Sequence, residues 1–191
     1  METMADKAIC WIDVESTGIR IKDGHRLLEV ACLITDLELN ILDETGFRAV
    51  IKYTADEVVK LKSLAGDYVL EMHTKTGLWD SLEEGTPLEL VNLQLEAYIQ
   101  NLIPEPQTAR LGGNSISLDR NFLDEFLPSV YNHLHYRSID VSSVSGLAQY
   151  WYKGPKFQKK TLHSAFDDIT ESIEELRFLR KHFFKEGVSF E

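Results

Sequence analysis

Four acidic residues and one histidine occupy positions from which they could bind a divalent cation and move a proton. Asp13 and Glu15 close an apolar run typical of a buried strand, and the period of two places both carboxylates on one face. Such carboxylates repel one another and lose solvation, and a divalent cation, which prefers oxygen ligands, relieves both penalties. Asp119 opens a later helix, while His163 and Asp168 flank the start of the last one. These five residues are the candidates for a metal site.

Each of these features also has an ordinary structural explanation. The strand-end pair could be two solvated acids, and Asp119 could serve only the dipole at the start of its helix. A histidine just before a helix is more often structural than catalytic. The set is more specific than its members, because it joins an acid pair on a strand, an acid at a helix start and the spacing His163-x-Ala165-x-x-Asp168. The combination favours one catalytic metal site.

Length and composition predict a single globular domain. The chain has 191 residues, of which 43% are hydrophobic, and we expect a tail at 1–7, one domain at 8–185 and a tail at 186–191. No apolar run approaches the ~20 residues needed to span a bilayer, and the first seven residues resemble neither a secretory signal nor a transit peptide. We therefore expect no membrane partner and a cytoplasmic protein, with a mitochondrial location left open. Cys10 and Cys32 lie in apolar runs and are interpreted as buried thiols in a reducing compartment.

The formal charge of −11 bears on which ligands the protein can bind. Proteins that bind long nucleic acids along the backbone usually have a basic face, because neutralising phosphates drives that binding. This chain has no surplus of basic residues. It therefore binds no nucleic acid, or it binds a small piece in a compact site where metal ions supply the positive charge.

The elements that must position these residues are predicted from hydrophobic periodicity. Strands are predicted at 8–14, 27–36, 41–53 with an interruption near Gly46, 108–114 and 137–142, and helices at 55–64, 88–102, 118–131, 143–152 and 165–184. Short links between the first three strands predict an antiparallel meander. The later alternation of strands and helices predicts a mixed α/β sheet covered by helices.

Two finer predictions concern individual helices. In 88–102 the apolar stripe is expected to comprise Leu90, Leu93, Ala97 and either Ile99 or Leu102. The last helix is expected to begin with Ser164 as its N-cap, in a capping box with Asp167.

The chain resembles the oligoribonuclease family from about Ile9 to Phe184. This family belongs to the histidine subtype of the DEDD exonucleases, in the proofreading-exonuclease-like superfamily. The matching blocks are 11–18, 28–36, 39–42, 73–78, 113–115, 135–137, 139–142 and 163–172. The resemblance implies a ribonuclease-H-like α/β fold, with a five-stranded mixed sheet flanked by helices. It also implies a homodimer.

The resemblance further implies a 3′→5′ exoribonuclease that degrades fragments from dinucleotides to about pentanucleotides into 5′-mononucleotides. By residue-to-residue match, Asp13, Glu15, Asp119 and Asp168 would hold two Mg²⁺ or Mn²⁺ ions, and His163 would be the general base. Two such ions can act on the attacking and leaving oxygens of an in-line displacement, and an imidazole near its own pKa can accept a proton at neutral pH.

A second group of residues is implied to contact the substrate. Its members are Ile19, Tyr68, His73, Asn114, Ser115, Tyr136, Arg137 and Ser142. In the family, Ser115, Arg137 and Ser142 match the residues that cap the 5′-phosphate of a dinucleotide, and Tyr136 matches a tyrosine from the partner subunit. An arginine fork suits a terminal phosphate, because it donates two hydrogen bonds.

Some positions depart from the family pattern. Ile19 stands where the family usually has a leucine wedge, Tyr68 where it often has a stacking tryptophan, and Ser16 where it usually has methionine. The lysine-rich loop 153–160 is either solvated or a basic flap near His163.

Two alternative functions stay open: a DNA-trimming or proofreading exonuclease of the same superfamily, and a catalytically silent nucleotide-binding homologue.

Overall fold

Five strands form one mixed sheet in this computed structural model, which describes residues 8–158 and 164–184. In chain order they are β1 (Ala8–Ser16), β2 (Leu27–Asp36), β3 (Phe47–Val50), β4 (Arg110–Gly113) and β5 (His135–Asp140). Their order across the sheet is β3-β2-β1-β4-β5. Strand β1 runs antiparallel to β2 and parallel to β4, and β4 runs parallel to β5. The predicted five-stranded mixed sheet is confirmed.

Eight α-helices surround the sheet in the part of the chain that the structure describes. They are α1 (Ala55–Leu64), α2 (Asp67–Lys75), α3 (Leu78–Ser81), α4 (Leu88–Leu102), α5 (Ser117–Phe126), α6 (Pro128–His133), α7 (Val141–Trp151) and α8 (Ala165–Phe183). Within those residues, none of the helices combines the length and apolar character needed to cross a bilayer.

Helices α4, α5 and α6 cover one face of the sheet. Cys10 and Ile12 of β1 pack there against Val91 of α4, Phe122 of α5 and Val130 of α6, all of them buried. Alternate residues of a strand point to opposite faces, so this face receives the even-numbered residues of β1. The sulfur atom of Cys10 lies 3.4 Å from that of Cys32, and both thiols are free and buried, as predicted.

Helices α7 and α8 cover the opposite face. Ile9 and Trp11 of β1 pack there with Val141 of α7 and with Ile169 and Ile173 of α8. Ile169 and Ile173 form, with Ala165, a buried stripe along the first half of α8. A third cluster, formed mainly by α1 and α3, packs around the end of β2. Strand β1 is the central strand of the sheet, and helices pack against both of its faces.

Three predicted boundaries are wrong for local reasons. The third strand is limited to Phe47–Val50 instead of 41–53, because Gly46 has a left-handed φ of 63° immediately before it. The helix predicted at 118–131 is two helices, because Pro128 lacks an N–H and disfavours helical geometry at Leu127. Strand β5 and helix α7 both begin two residues earlier than predicted, since Asp140 caps α7.

Finer helix predictions were partly wrong. Helix α4 has the predicted bounds, and Ile99 is buried as predicted. Leu90, Leu93 and Ala97 are exposed, however, and the rest of the buried stripe is Val91 and Leu95. Ser164 is the N-cap of α8, as predicted, but its side chain makes no capping hydrogen bond. Helices α2 and α3 lie in 65–87, a region for which the sequence pattern predicted no element.

Gly46 brings the start of α8 close to the sheet, and its replacement tests this packing. A Cβ at Gly46 would lie 2.7 Å from Leu33 Cδ2, 2.8 Å from a ring carbon of Phe166 and 2.9 Å from the carbonyl oxygen of Cys32. We expect Gly46→Ala to lower the free energy of unfolding by about 3 kcal/mol or more, from backbone strain plus overpacking. Denaturant unfolding measures the loss.

Gly77→Ala is the matched control for this prediction. Gly77 also has a left-handed φ, of 75°, but a Cβ there meets no atom within 4 Å. It should cost only the conformational term of about 1–2 kcal/mol. Equal losses in the two variants would contradict tight packing at Gly46.

Candidate active site

Three of the four predicted metal ligands lie together at the end of β1. Asp13 and Glu15 continue the series of β1 side chains on the α8 face, and Asp168 approaches from the first turn of α8. Each offers a carboxylate oxygen, and these three oxygens lie within 4.8 Å of one another. Three oxygen donors at this spacing can share one divalent cation.

Asp119, the fourth predicted ligand, borders this group from the first turn of α5. Its Oδ1 accepts a hydrogen bond of 3.1 Å from the backbone N–H of Val14, between the two acids of β1. Its carboxylate is buried, with 4% exposure. It does not belong to the tight group of three, but its charge helps to raise the pKa values of Asp13 and Glu15. The four acids therefore act on one another electrostatically.

Burial and mutual repulsion shift the titration of these acids upwards. Burial, followed by the charges of Asp168, Glu29 and Asp119, raises the pKa of Glu15 to about 8. Burial likewise raises the pKa of Asp119 to about 7, although backbone hydrogen bonds oppose the shift. Burial and then the charge of Asp119 hold the pKa of Asp13 well above its ordinary value. Without a positive partner, the cluster retains protons near neutral pH.

This donor set fits a divalent metal ion. The side chains supply hard carboxylate oxygens, which suit Mg²⁺ and Mn²⁺ better than softer metals. A cation that displaces protons from Asp13 and Glu15 also cancels the repulsion that raises the pKa values of these two residues. The electrostatic penalty of the cluster therefore becomes a source of cation affinity.

A fifth carboxylate, which the sequence pattern did not single out, completes the acidic cluster. Glu29 lies opposite Glu15 in the β1–β2 ladder and is buried. It forms an ion pair with Arg48 of β3, whose side chain is half exposed. The pair lines a cavity of about 470 Å³ together with the turn at 76–78 and Ser164. The available signal was an acid inside the otherwise apolar run of β2.

Of the two predicted histidines, His73 lies within the described residues and His163 does not. The role of His163 as general base therefore stays a prediction. His73 of α2 is fully buried beside the cluster. Its Nε2 lies 3.0 Å from the carbonyl oxygen of Ser16 and 3.9 Å from Oε2 of Glu15, and its ring packs edge-on against Trp79. His73 therefore contacts the acidic cluster from its buried side, next to Glu15.

Two predicted apolar contacts are exposed on the surface. Ile19 follows the end of β1 and is 72% exposed, and Tyr68 in the first turn of α2 is 68% exposed. Exposed apolar side chains can stack against or separate nucleobases. Their roles stay predictions.

Asp140 organises the two predicted serine contacts, and the sequence pattern missed it. Its Oδ1 accepts hydrogen bonds from the N–H of Ser115 at 3.0 Å and from the hydroxyl of Ser142 at 2.6 Å. Burial alone would raise the pKa of Asp140, but hydrogen bonds, led by that of Ser142, outweigh burial and lower it. Ser115 is held at a left-handed φ of 55°. The signal was an aspartate near the end of the strand predicted at 137–142, shortly before a predicted helix.

Asn114, adjacent to this serine pair, faces the body of the protein. Its Nδ2 donates to the Ser172 hydroxyl at 2.9 Å and to Glu175 Oε2 at 3.2 Å, both in α8. It therefore joins the end of β4 to α8, and direct contact with a substrate stays a prediction.

Tyr136 and Arg137 lie on β5, which is an edge strand of the sheet. Both side chains are exposed, and the Arg137 guanidinium lies 5.3 Å from the centroid of the Tyr136 ring.

Across the whole site, the structure brings Asp13, Glu15, Asp119 and Asp168 together. It places Ser115 and Ser142 in a separate hydrogen-bonded group.

The raised pKa values predict how the stability of the metal-free protein depends on pH. The pKa of Glu15 is 4.5 in the unfolded chain and about 8 in the folded protein. Between these two pH values the folded state therefore binds more protons than the unfolded state. Stability must then fall as pH rises through this window. In chelator, we expect the melting temperature to fall by at least about 3 °C between pH 5.5 and pH 8.

Two comparisons test the cause of this pH dependence. Glu15→Gln should reduce the fall, because it removes one of the titrating groups whose pKa is raised, and saturating Mg²⁺ should abolish it. A melting temperature that rises with pH in chelator would contradict the repulsion described above.

Comparison with known proteins agrees with this geometry. The family model described as Exonuclease matches residues 10–176. Mitochondrial oligoribonuclease of Homo sapiens is 40% identical over 193 residues, which cover 98% of this chain and 77% of the relative. Oligoribonuclease of Nocardia farcinica is 40% identical and covers 95% of this chain and 83% of the relative.

Solved structures show the same fold at low sequence identity. Exonuclease I from Methylocaldum szegediense has a TM-score of 0.67 at 17% identity and covers 92% of this chain. Exonuclease I from E. coli, in complex with a dT13 oligonucleotide, has a TM-score of 0.68 at 12% identity. The chain spans about two fifths of these proteins, 40% and 41%. These likenesses establish the ribonuclease-H-like fold alone. From its match to the family model and its identity to oligoribonucleases over nearly its whole length, the chain belongs to the oligoribonuclease family of 3′→5′ exonucleases.

Proposed function

We propose that this enzyme hydrolyses very short RNA fragments from the 3′ end and releases 5′-mononucleotides. The observation that carries the proposal is the group of carboxylates at the end of β1, where the oxygens of partly buried Asp13, buried Glu15 and partly buried Asp168 lie within 4.8 Å of one another. Burial and mutual repulsion raise the pKa values of Asp13 and Glu15, and a bound cation relieves this repulsion. The cluster therefore suits a cation-dependent reaction at a phosphodiester.

The chain's own residues account for ion binding and proton transfer. Asp13, Glu15, Asp119 and Asp168 would hold two Mg²⁺ or Mn²⁺ ions. When bound, such ions activate water and stabilise charge on the leaving oxygen. A neutral imidazole nitrogen of His163 would take the proton from the attacking water. Four ionised carboxylates and two dications sum to zero, so a phosphate can approach an otherwise acidic protein.

Substrate length is proposed to depend on a cap at the 5′ end. The Ser115 and Ser142 hydroxyl oxygens lie 3.4 Å apart, and Asp140 holds both residues by accepting hydrogen bonds from the Ser115 N–H and the Ser142 hydroxyl. A hydroxyl has one proton, so Ser142 would turn its O–H from Asp140 to the phosphate when substrate binds. Arg137 would add a fork suited to a terminal phosphate. A cap of this kind binds a chain end instead of a continuing strand, and so needs no extended basic surface. Exposed Ile19 and Tyr68 would contact the bases.

Loss of one acid tests the reaction, and the chain supplies its own control. Asp168→Ala should lower the turnover of a 5′-labelled diribonucleotide by at least about a hundredfold, because it removes an ion ligand. Asp167→Ala, which replaces the exposed neighbouring acid in the same turn of α8, should retain most activity. Product release over time is measured with and without chelator.

Other substrates in the same assay separate the competing functions. Faster cleavage of a matched deoxyribonucleotide would favour a DNA-trimming exonuclease, and no cleavage of either would favour a silent nucleotide-binding protein. A heptaribonucleotide preferred over the dimer would contradict the cap. Cleavage that survives chelation would contradict the cation-dependent reaction.

A homodimer that shares Tyr136 between subunits is the second part of the proposal. Strand β5 has a free edge in the described sheet, and an exposed apolar patch lies on and just after α7. The patch comprises Leu147, Tyr150, Trp151 and Tyr152, with Tyr150 86% exposed. Contiguous exposed apolar surface of this kind is typical of protein interfaces. A second copy of the chain would cover it and bring Tyr136 to the neighbouring site.

Mixed dimers test whether Tyr136 acts across the interface. Tyr136→Ala and Asp168→Ala subunits should each have little activity alone. After unfolding and joint refolding in equal amounts, half of the dimers are mixed and each has one intact site, so activity should return to roughly a quarter of the wild-type value. No recovery would place Tyr136 in its own subunit's site, and a monomer in sedimentation would contradict the dimer.

The compartment is proposed to be the cytoplasm, with the mitochondrion as the second candidate. Cys10 and Cys32 are both free and buried. Free thiols in this arrangement are usual in reducing compartments.

A further inference from the structure

Strand β5 contains a bulge at the two residues proposed to meet substrate. In the β4–β5 ladder, Arg110 pairs with His135, but the next residue of β4, Leu111, pairs with Ser138. One step along β4 thus corresponds to three along β5, and Tyr136 and Arg137 are left outside the ladder. Bulges re-aim side chains at the rims of sheets and beside active sites. This bulge needs residues that hold it in shape.

Arg120 joins the two ends of this bulge. Its Nη2 donates to the carbonyl oxygen of His135 at 2.9 Å, and its Nη1 donates to the hydroxyl of Ser138 at 2.9 Å. These are the residues immediately before and after the bulged pair. The guanidinium also lies over the ring of Tyr131, 5.3 Å from the centroid. The planar fork is thereby fixed in one orientation and spans the bulge as a clamp.

His135 supports the bulge from within. Its Nδ1 accepts a hydrogen bond of 2.9 Å from the backbone N–H of Arg137. Its ring also stacks on Tyr136, with centroids 4.5 Å apart. A backbone N–H that leaves a ladder needs another acceptor, and here the ring two residues earlier supplies it. The bulge is therefore internally bonded.

Arg120 also joins the bulge to the acid cluster. It directly follows Asp119 in α5, and the two side chains diverge: Asp119 binds the backbone of β1, and Arg120 binds β5. A single turn of α5 thus holds both the candidate ion site and the strand that carries Arg137. The separation between them is set by a rigid helix.

We propose that Arg120 is a positioning residue that sets the preference for short substrates with a 5′-phosphate. It holds the bulge so that the Arg137 fork stands at a fixed distance from the acids that act on the phosphodiester. This inference rests on the proposed cap at Arg137. Arg120 itself acts through β5 and does not touch the substrate.

The first test needs no activity. Hydrogen exchange of the segment 135–138 is followed by mass spectrometry in wild type and in Arg120→Met. Loss of the clamp should speed this exchange by about tenfold, since hydrogen bonds to a charged group are lost. Arg177→Met is the matched control, because the Arg177 guanidinium also donates to a backbone carbonyl, that of Leu39, away from β5. It should leave exchange at 135–138 unchanged.

The second test compares diribonucleotides with and without a 5′-phosphate. Arg120→Met should raise KM for the phosphorylated dimer by about tenfold and change kcat by less than about threefold, because the acids are untouched. Affinity for Mn²⁺, measured by calorimetry, should stay within about twofold of wild type. Arg120→Lys can reach one acceptor at a time, so it should fall between wild type and Arg120→Met, and it keeps the test open if the methionine variant does not fold.

The outcomes separate this inference from the function on which it rests. If wild type does not distinguish the two dimers, the cap fails and the inference fails with it. If wild type distinguishes them and folded Arg120→Met or Arg120→Lys does so equally well, with unchanged exchange at 135–138, the cap stands and the clamp is overturned. An equal rise in KM in Arg177→Met would also overturn it.

Discussion

The structure depends on holding like charges together in a place where their carboxylates are largely removed from water. Asp13, Glu15, Asp119 and Asp168 approach from β1, α5 and α8, and burial raises the pKa values of at least the first three. The charges of neighbouring acids raise the pKa values of Asp13 and Glu15, so charge repulsion opposes this arrangement. The apolar faces of β1 and α8 and the packing around Gly46 bring them together. The hydrophobic core thus supplies the energy that keeps the ion ligands in place.

The sequence predicted those features that follow from periodicity and from residue chemistry. Alternation placed Asp13 and Glu15 on one face, and the long apolar runs located β1, β2 and α8 to within a few residues. The family resemblance implied that the sheet has five strands, but the order of all five across the sheet was not predicted, because periodicity does not reveal which strands are neighbours. In α4 the predicted stripe was wrong by about one residue in phase, since leucines occur on both its faces.

Other features needed the third dimension. Glu29 became part of the acidic cluster only through its cross-strand register with Glu15. Asp140 looked like a strand end, but its carboxylate gathers Ser115 and Ser142 from two different segments. The bulge in β5 lies at 135–138, across the start of the strand predicted at 137–142, and the sequence pattern did not indicate it. Each of these features depends on pairing between segments that are distant in the chain, and such pairing cannot be predicted from the pattern of a single sequence.

The hydrogen bond from the Val14 N–H to Asp119 has a consequence for how tightly the site can bind an ion. This carboxylate is already anchored by the main chain, so it loses little rotational freedom when an ion arrives. Its ordering takes place during folding instead. The pocket is therefore preorganised on this side, and an incoming ion has fewer groups to recruit before it is held.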